Sequence, residues 1–269
     1  MTQQQTPPPL QPTSPYSGAI IKIGGEWFFL KQDDILLSLK QEVERYQSPK
    51  QNQIRTICAQ YYPKIIQPLP LHHQLHIAYE ILRFYTQMKL IAIDIIINNV
   101  YAITTEHLED VGKIIDNHIS DQNTIEYMSK TLFVDMLTKR GEVFLDAFEK
   151  WHELKNKPYR VRACLSTFSK MQKDKGVDRI WNICEKCIKS KEKIVKIGVG
   201  YALKELCPTN EAKVIEVVRR NKPYFIREAL KHATEKIKDP AIKRELCPSA
   251  SDRKHHEIIN ASNKGSDDQ

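Results

Sequence analysis

The sequence predicts an all-α protein, an α-solenoid of helical repeats that spans residues 33–248. Glycine is scarce, with nine residues in 269, which disfavours turn-dense β architectures and glycine-rich nucleotide-binding loops. From Asp33 onward, apolar residues recur at helical intervals almost throughout. Related segments also recur at separations of roughly 30 to 45 residues, which is the spacing typical of stacked helix pairs.

Repeated segments in the second half support this architecture. NKPYRVRACL (156–165) and NKPYFIREAL (221–230) share six of ten positions, and KEKIVKIGVG (191–200) between them also places small residues after basic ones. Arg162, Lys196 and Arg227 fall at one equivalent position, 34 and then 31 residues apart. Because the second helix of each pair lines the concave face of a solenoid, we expect a ladder of three cations on that face.

The two ends of the chain differ from the helical part. Residues 1–18 contain five prolines beside a glutamine run, a composition that cannot bury enough apolar surface to become ordered. Residues 19–32 hold two short β-prone runs around Gly24 and Gly25 and are compatible with a short N-terminal β-hairpin. Residues 249–269 form a second polar tail, so we expect disorder at both ends.

The charge is distributed unevenly. The chain has a net charge of +8, yet residues 156–243 contain 22 Lys and Arg against 10 Asp and Glu, a balance of +12 that leaves −4 for the rest. This asymmetry favours a polyanion such as nucleic acid as partner, although a solvated lysine-rich surface is the alternative interpretation. No apolar run reaches the roughly 18 residues of a membrane span, and no secretory signal is visible, so we expect an intracellular protein, nuclear or cytoplasmic.

The common catalytic motifs are missing. The chain has no G-x-x-x-x-G-K, G-x-S-x-G or H-E-x-x-H sequence, which excludes the common nucleotide-hydrolase, serine-hydrolase and zincin classes. Cys184 and Cys187 form a lone C-x-x-C in a helical segment, whereas a structural zinc site needs four ligands. We therefore interpret them as ordinary thiols and predict no metal site.

Two predicted helices contain further candidate functional residues. Gly198 and Gly200 precede Tyr201 in a predicted helix and indicate a close approach, either of another helix or of a DNA backbone. A further helix starts at Ser120 or Asp121 and places Glu126 near its first turn, where a carboxylate is also a common helix-dipole partner.

Four segments then resemble one known family, the AlkD-like DNA alkylation repair proteins. They are HHQLHIAYEIL, YRVRACLSTFSKM, KEKIVKIGVGYALKELCPTN and FIREALKHATEKI, and the resemblance covers about residues 50–240. It implies a monomeric solenoid of HEAT-like repeats that binds duplex DNA in a basic concave groove. Active members are monofunctional glycosylases that release N3- or N7-alkylated purines without a metal or an organic cofactor.

The resemblance also assigns site residues. It implies that Arg162 holds a phosphate, that Tyr201 packs against the deoxyribose, and that Glu126 stabilises the cationic sugar as the base leaves. The family's Trp-x-x-x-Asp motif falls on Gln122 through Glu126, so Gln122 stands where the family has tryptophan. The remaining predicted DNA contacts are Lys196, Arg227, Arg160 and Lys193.

Two alternatives stay open at these positions. A register shifted by up to one turn would bring Asp121 or Tyr127 to the place of Glu126 or Gln122. The family also includes members without these catalytic groups that bind DNA and release no base. The sequence therefore leaves three hypotheses, namely an alkylpurine glycosylase, a catalytically inactive protein that binds DNA structures, and a protein–protein scaffold.

Overall fold

The computed structural model describes residues 19–23, 26–30, 32–46, 48–171 and 176–249. Two short strands, β1 (Ala19–Ile23) and β2 (Glu26–Leu30), pair antiparallel, with Ala19 opposite Leu30. The predicted turn at 24–25, the predicted tail at 1–18 and all of the predicted tail at 249–269 except Ser249 lie outside the described residues.

Beyond the hairpin, the secondary structure of the described residues is helical, which confirms the predicted all-α class. None of the helices in these ranges is long and apolar enough to cross a membrane. The α-helices are α1 (Gln32–Glu44), α2 (Gln51–Tyr61), α3 (Leu71–Phe84), α4 (Lys89–Asn98), α5 (Thr105–His118), α6 (Gln122–Met128), α7 (Val134–Arg140), α8 (Glu142–Glu149), α9 (Pro158–Lys170), α10 (Gly176–Cys187), α11 (Lys193–Asn221), α12 (Arg227–Thr234) and α13 (Pro240–Leu246).

The chain divides into two compact units, Met1–Ala102 and Ile103–Gln269. The centre of the first unit is the pair α3 and α4. The sequence of α4, KLIAIDIIIN, is apolar on nearly all sides, as expected for a helix buried among neighbours. Ile91 and Ile93 of this helix have no exposed area.

The second unit is built around α9, which packs against α5, α6, α10 and α11. Every residue from Arg160 to Ser169 is buried, although this segment includes two arginines, two serines and a threonine. Arg160, Arg162 and Ser166 donate to carboxylates of the neighbouring helices α5 and α6, whereas Thr167 Oγ1 has no hydrogen-bond partner among the described residues. The central helix α9 therefore carries many of the buried polar side chains of this unit.

Helices α11 and α12 form the most extensive helix contact of this unit. A Cβ atom added to Gly200 would lie 2.9 Å from the Cα atom of Ala229, so only glycine allows this approach. Gly198 is packed in the same way against Arg162 and Leu165 of α9. The close approach expected from the two glycines is thus an approach of other helices.

We predict that Gly200→Ala destabilises the protein, although alanine is the better helix former by about 1 kcal/mol. The added methyl group overlaps the backbone of α12, and overpacking of this kind costs about 1–3 kcal/mol. Chemical denaturation measures the difference. Glu216→Ala, an exposed position of α11 beyond the kink at Asn210, is the control and should stay within about 0.5 kcal/mol of wild type. A more stable Gly200→Ala variant would contradict the packing described here.

Candidate active site

The start of α6 sets the position of Glu126. Asp121 is the N-cap residue, and its side chain accepts hydrogen bonds from the Thr124 amide at 2.8 Å and the Thr124 hydroxyl at 2.5 Å. Satisfying these otherwise unpaired groups fixes where the helix begins, which agrees with the start expected at Ser120 or Asp121. Of the acidic alternatives, Asp121 therefore caps the helix, and Glu126 follows one turn inside it.

Three hydrogen bonds hold the Glu126 carboxylate, and all of them end on one oxygen. Oε1 accepts from Arg162 Nε at 2.9 Å, from Arg162 Nη2 at 2.5 Å and from Ser166 Oγ at 2.8 Å. Oε2 accepts none within the described part of the chain, and 22% of the side chain is exposed. One oxygen is thus anchored, and the other is left for a group from outside.

The guanidinium of Arg162 is enclosed by helices. Its side chain has no exposed area, and its Cζ atom lies 4.8 Å from the centre of the Tyr201 ring. A Cβ atom on Gly198 would lie 3.0 Å from Nη1, so the glycine makes the space that the guanidinium occupies. Nη1 is buried without a hydrogen-bond partner among the described residues. A cation over an aromatic ring gains electrostatic stabilisation, which partly offsets this missing bond.

His232 and Lys204 also contact the Tyr201 ring. His232 of α12 stacks on it with ring centres 3.9 Å apart and an angle of 23° between the planes. Lys204 also lies over the ring at 5.8 Å and forms an ion pair with Glu235 at 2.5 Å. Tyr201 is half-buried, and the face that His232 covers is not available to a sugar.

His232 sits among charges of both signs. Burial lowers its pKa most, the carboxylates of Glu235 and Glu228 raise it, and the cations of Lys204 and Arg162 lower it. The net shift is downward, which favours the neutral form of the ring that stacks on Tyr201 beside the cations of Arg162 and Lys204.

The third predicted catalytic residue, Gln122, is not hydrogen-bonded to the other two. Gln122 is the first residue of α6, one helical turn before Glu126, and is half-buried. Its side chain makes no hydrogen bond to the cluster formed by Glu126, Arg162, Ser166, Tyr201 and His232. The structure therefore brings Glu126 and Tyr201 together through Arg162, and Gln122 precedes Glu126 by one turn without joining this candidate active-site cluster.

The three cations of the ladder expected from the repeats do not share one environment. Arg162 is fully buried in α9, Lys196 is half-buried in α11, and Arg227 is exposed as the first residue of α12. Pro158 begins α9, whereas its counterpart Pro223 lies in a separate 3₁₀ turn, so the equivalent cations occupy different turns of their helices.

Two further predicted DNA contacts are ion-paired within the unit. Arg160 is 4% exposed, donates to both oxygens of Glu109 at 2.8 and 2.9 Å, and pairs with Asp116 at 2.9 Å. Lys193 is exposed and lies 3.2 Å from Glu228. By contrast, the side chains of Lys196 and Arg227 make no ion pair within the described residues. A phosphate contact by Arg160 or Arg162 stays a prediction, and in the structure both side chains are buried and paired with carboxylates.

Sequence reasoning missed Ser166 and His232. Ser166 lies four residues after Arg162 and thus on the same face of α9, so helical periodicity could have found it. His232 reaches Tyr201 only through the packing of α12 on α11, for which the sequence carries no local signal.

Both cysteines of the C-x-x-C pair are buried. Cys184 and Cys187 are buried free thiols in α10, and burial raises the pKa of Cys187 to about 12 and that of Cys184 further. Such thiols are poor nucleophiles, because the thiolate is the reactive form. Among the described residues no group of three His, Cys, Asp or Glu is arranged to hold a metal ion.

The Arg162–Glu126 pair should show strong energetic coupling. Arg162→Met leaves Glu126 with Ser166 alone and should destabilise the unit by roughly 1–3 kcal/mol. Glu126→Gln should cost at least as much, since the amide still accepts from Arg162 and Ser166 but leaves the fully buried guanidinium without a counter-charge. A double-mutant cycle measured by denaturation should give a coupling energy of roughly 1–3 kcal/mol. Additive effects of the two substitutions would show that the pair does not form.

A comparison with protein-family profiles matches residues 41–237 to the family described as DNA alkylation repair enzyme. A search of curated proteins found no match. The profile covers most of the chain, including α2 through α12 and all residues of the candidate active-site cluster. The chain therefore belongs to the DNA alkylation repair enzyme family.

Proposed function

We propose that this protein is a DNA glycosylase that releases cationic alkylated purines from duplex DNA. The observation that carries the proposal is the half-anchored carboxylate of Glu126. Its Oε1 atom is fixed by Arg162 and Ser166, while Oε2 accepts no hydrogen bond within the described residues. A preorganised carboxylate of this kind can stabilise a positive charge that develops beside it without having to reorient.

The chemistry needs little else from the protein. An N3- or N7-alkylated purine is already a cation, so the bond from C1′ to the purine nitrogen can break with both electrons leaving on the base. The base departs neutral, and the positive charge moves to the deoxyribose as an oxocarbenium ion. Glu126 stabilises that ion, water attacks C1′, and the water's extra proton is lost to the carboxylate or to solvent.

The neighbouring groups take supporting roles. Arg162 positions the carboxylate rather than meeting substrate, because it has no exposed area. Tyr201 offers its uncovered edge and hydroxyl to the sugar, since His232 covers one face of its ring. Gln122, one turn before Glu126, stands where the family has a tryptophan, so it offers an amide to the DNA backbone in place of an aromatic ring.

DNA binding in this proposal depends on the basic second half of the chain. The balance of +12 over residues 156–243 attracts the phosphate backbone. Lys196 and Arg227 are the predicted contacts without an ion-pair partner in the described part of the chain, and Lys193 is exposed beside Glu228. These three cations are available to phosphates without disturbing the helix packing.

A specific observation also favours the second candidate, a DNA-binding protein that releases no base. Stacking of His232 on Tyr201 removes one aromatic face, and Gln122 supplies none. A protein with this site could bind duplex DNA through the same cations while lacking the ring surface that grips a sugar.

We predict that Glu126→Gln lowers base release at least 100-fold, because the developing charge loses its partner, and leaves duplex affinity within about twofold, because the predicted phosphate contacts are unchanged. Release of N7-methylguanine and N3-methyladenine from methylated duplex is measured beside binding to the same duplex. Glu216→Gln, an exposed glutamate of α11, is the control for lost charge and should retain full activity.

Two results would decide between the candidates. Wild-type rates of release by Glu126→Gln would refute the role of Glu126. Salt-dependent binding without any release by the wild-type chain would establish the second candidate in its place.

A further inference from the structure

His232 lies between the Tyr201 ring and a cavity of about 470 Å³. Its imidazole stacks on the ring with 3.9 Å between the ring centres, and His232 also lines the cavity, whereas Tyr201 is not among the described residues that do so. Only 23% of the His232 side chain is exposed. One side chain thus closes a face of the tyrosine ring on one side and borders an open space on the other.

The face under His232 is the side of the Tyr201 ring that a ligand can reach. A stacked imidazole fills one face, so Arg162, whose Cζ atom lies 4.8 Å from the same ring centre, lies on another side. Arg162 has no exposed area, and its side of the ring therefore belongs to the interior of the unit. If the imidazole moved away, the face that it covers would become accessible.

Packing rather than hydrogen bonding holds the imidazole on the ring. His232 makes no hydrogen bond among the described residues. Its Nδ1 atom lies 3.8 Å from Glu235 Oε2, which is too far for a hydrogen bond. Breaking one aromatic stack shifts an equilibrium by about tenfold or less, so a ligand that gains the ring face can displace the imidazole.

The cavity offers the imidazole a second position. Side chains in helices use two χ1 rotamers, so the ring can turn without a shift of α12. The cavity has ample room for it, and the Glu235 carboxylate on its wall provides an acceptor for an imidazole N–H. Burial lowers the pKa of His232, and the neutral ring that this favours is not repelled by Arg227, Lys231 and Lys243, which also line the cavity.

We propose that His232 is a movable cover of the Tyr201 ring, which turns into the cavity when duplex DNA binds and leaves the ring face to a deoxyribose. The choice of DNA as the ligand rests on the proposed function, whereas the stack and the cavity do not depend on base release. In the free protein the cover keeps an apolar ring face out of water. His232 is thus a positioning residue that acts through Tyr201 and touches no reacting atom.

The first measurement follows the imidazole itself by NMR, in protein with ¹³C-labelled histidine. The signals of His232 are those missing from His232→Ala. Protons stacked over an aromatic ring are shifted upfield, so in free wild type these signals should lie upfield of their position in Tyr201→Leu. We expect saturating undamaged duplex to move them to the Tyr201→Leu position. An upfield shift that persists in the complex would overturn the proposal.

The second measurement is the affinity for undamaged duplex of wild type, His232→Ala, Tyr201→Leu and the double variant, each shown to be folded by its melting temperature. Because no cover has to be opened, His232→Ala should bind about 2- to 10-fold more tightly than wild type. Tyr201→Leu is the matched background without a ring face, where His232→Ala should change the affinity by less than about twofold. An equal change in both backgrounds would contradict the proposal, since His232 would then act independently of Tyr201.

The cover and the proposed function fail separately. Absence of base release from methylated duplex, together with the expected movement of the His232 signals on undamaged duplex, would refute the glycosylase alone. Release of alkylated purines by a protein whose His232 signals stay in place would refute the cover alone. A chain that does not bind duplex DNA would refute both.

Discussion

The buried guanidinium of Arg162 is the constraint on which the second unit depends. It lies in the helix that contacts α5, α6, α10 and α11, and it has no exposed area. A charge in this position must be matched by a carboxylate, a ring and a gap in the packing, and Glu126, Tyr201 and Gly198 provide them. Two helices, α6 and α11, are thereby fixed relative to α9 by the needs of one side chain.

Stability alone does not explain such an arrangement. Apolar side chains of similar volume commonly replace buried ion pairs with no loss of stability, or with a gain. What an apolar core cannot do is hold a carboxylate in one orientation at the edge of the packing. The pair of Arg162 with Glu126 does so, and the asymmetric use of Oε1 leaves Oε2 as the negative end of the pair.

Much of this arrangement was predictable from the sequence, and the reasons for the rest are physical. Helical periodicity and repeats predicted the all-α fold, and the resemblance connected Glu126, Arg162 and Tyr201. The repeats could not predict that equivalent cations differ in burial. Pro158 starts α9 directly, whereas after Pro223 the chain makes a 3₁₀ turn before α12 begins, which moves Arg227 to a helix start. Contacts between separate helices, such as that of His232 with Tyr201, leave no local sequence pattern.

The most direct test of the account is the single-turnover rate at which the wild-type chain releases N7-methylguanine from a defined duplex, with protein in excess over DNA. The spontaneous loss of the same base from the same duplex is the reference. The account predicts release at least 100-fold faster than the spontaneous reaction, the magnitude expected of a preorganised charge at the developing cation. A rate equal to the spontaneous one, in a sample where binding shows the duplex to be fully occupied, would contradict it.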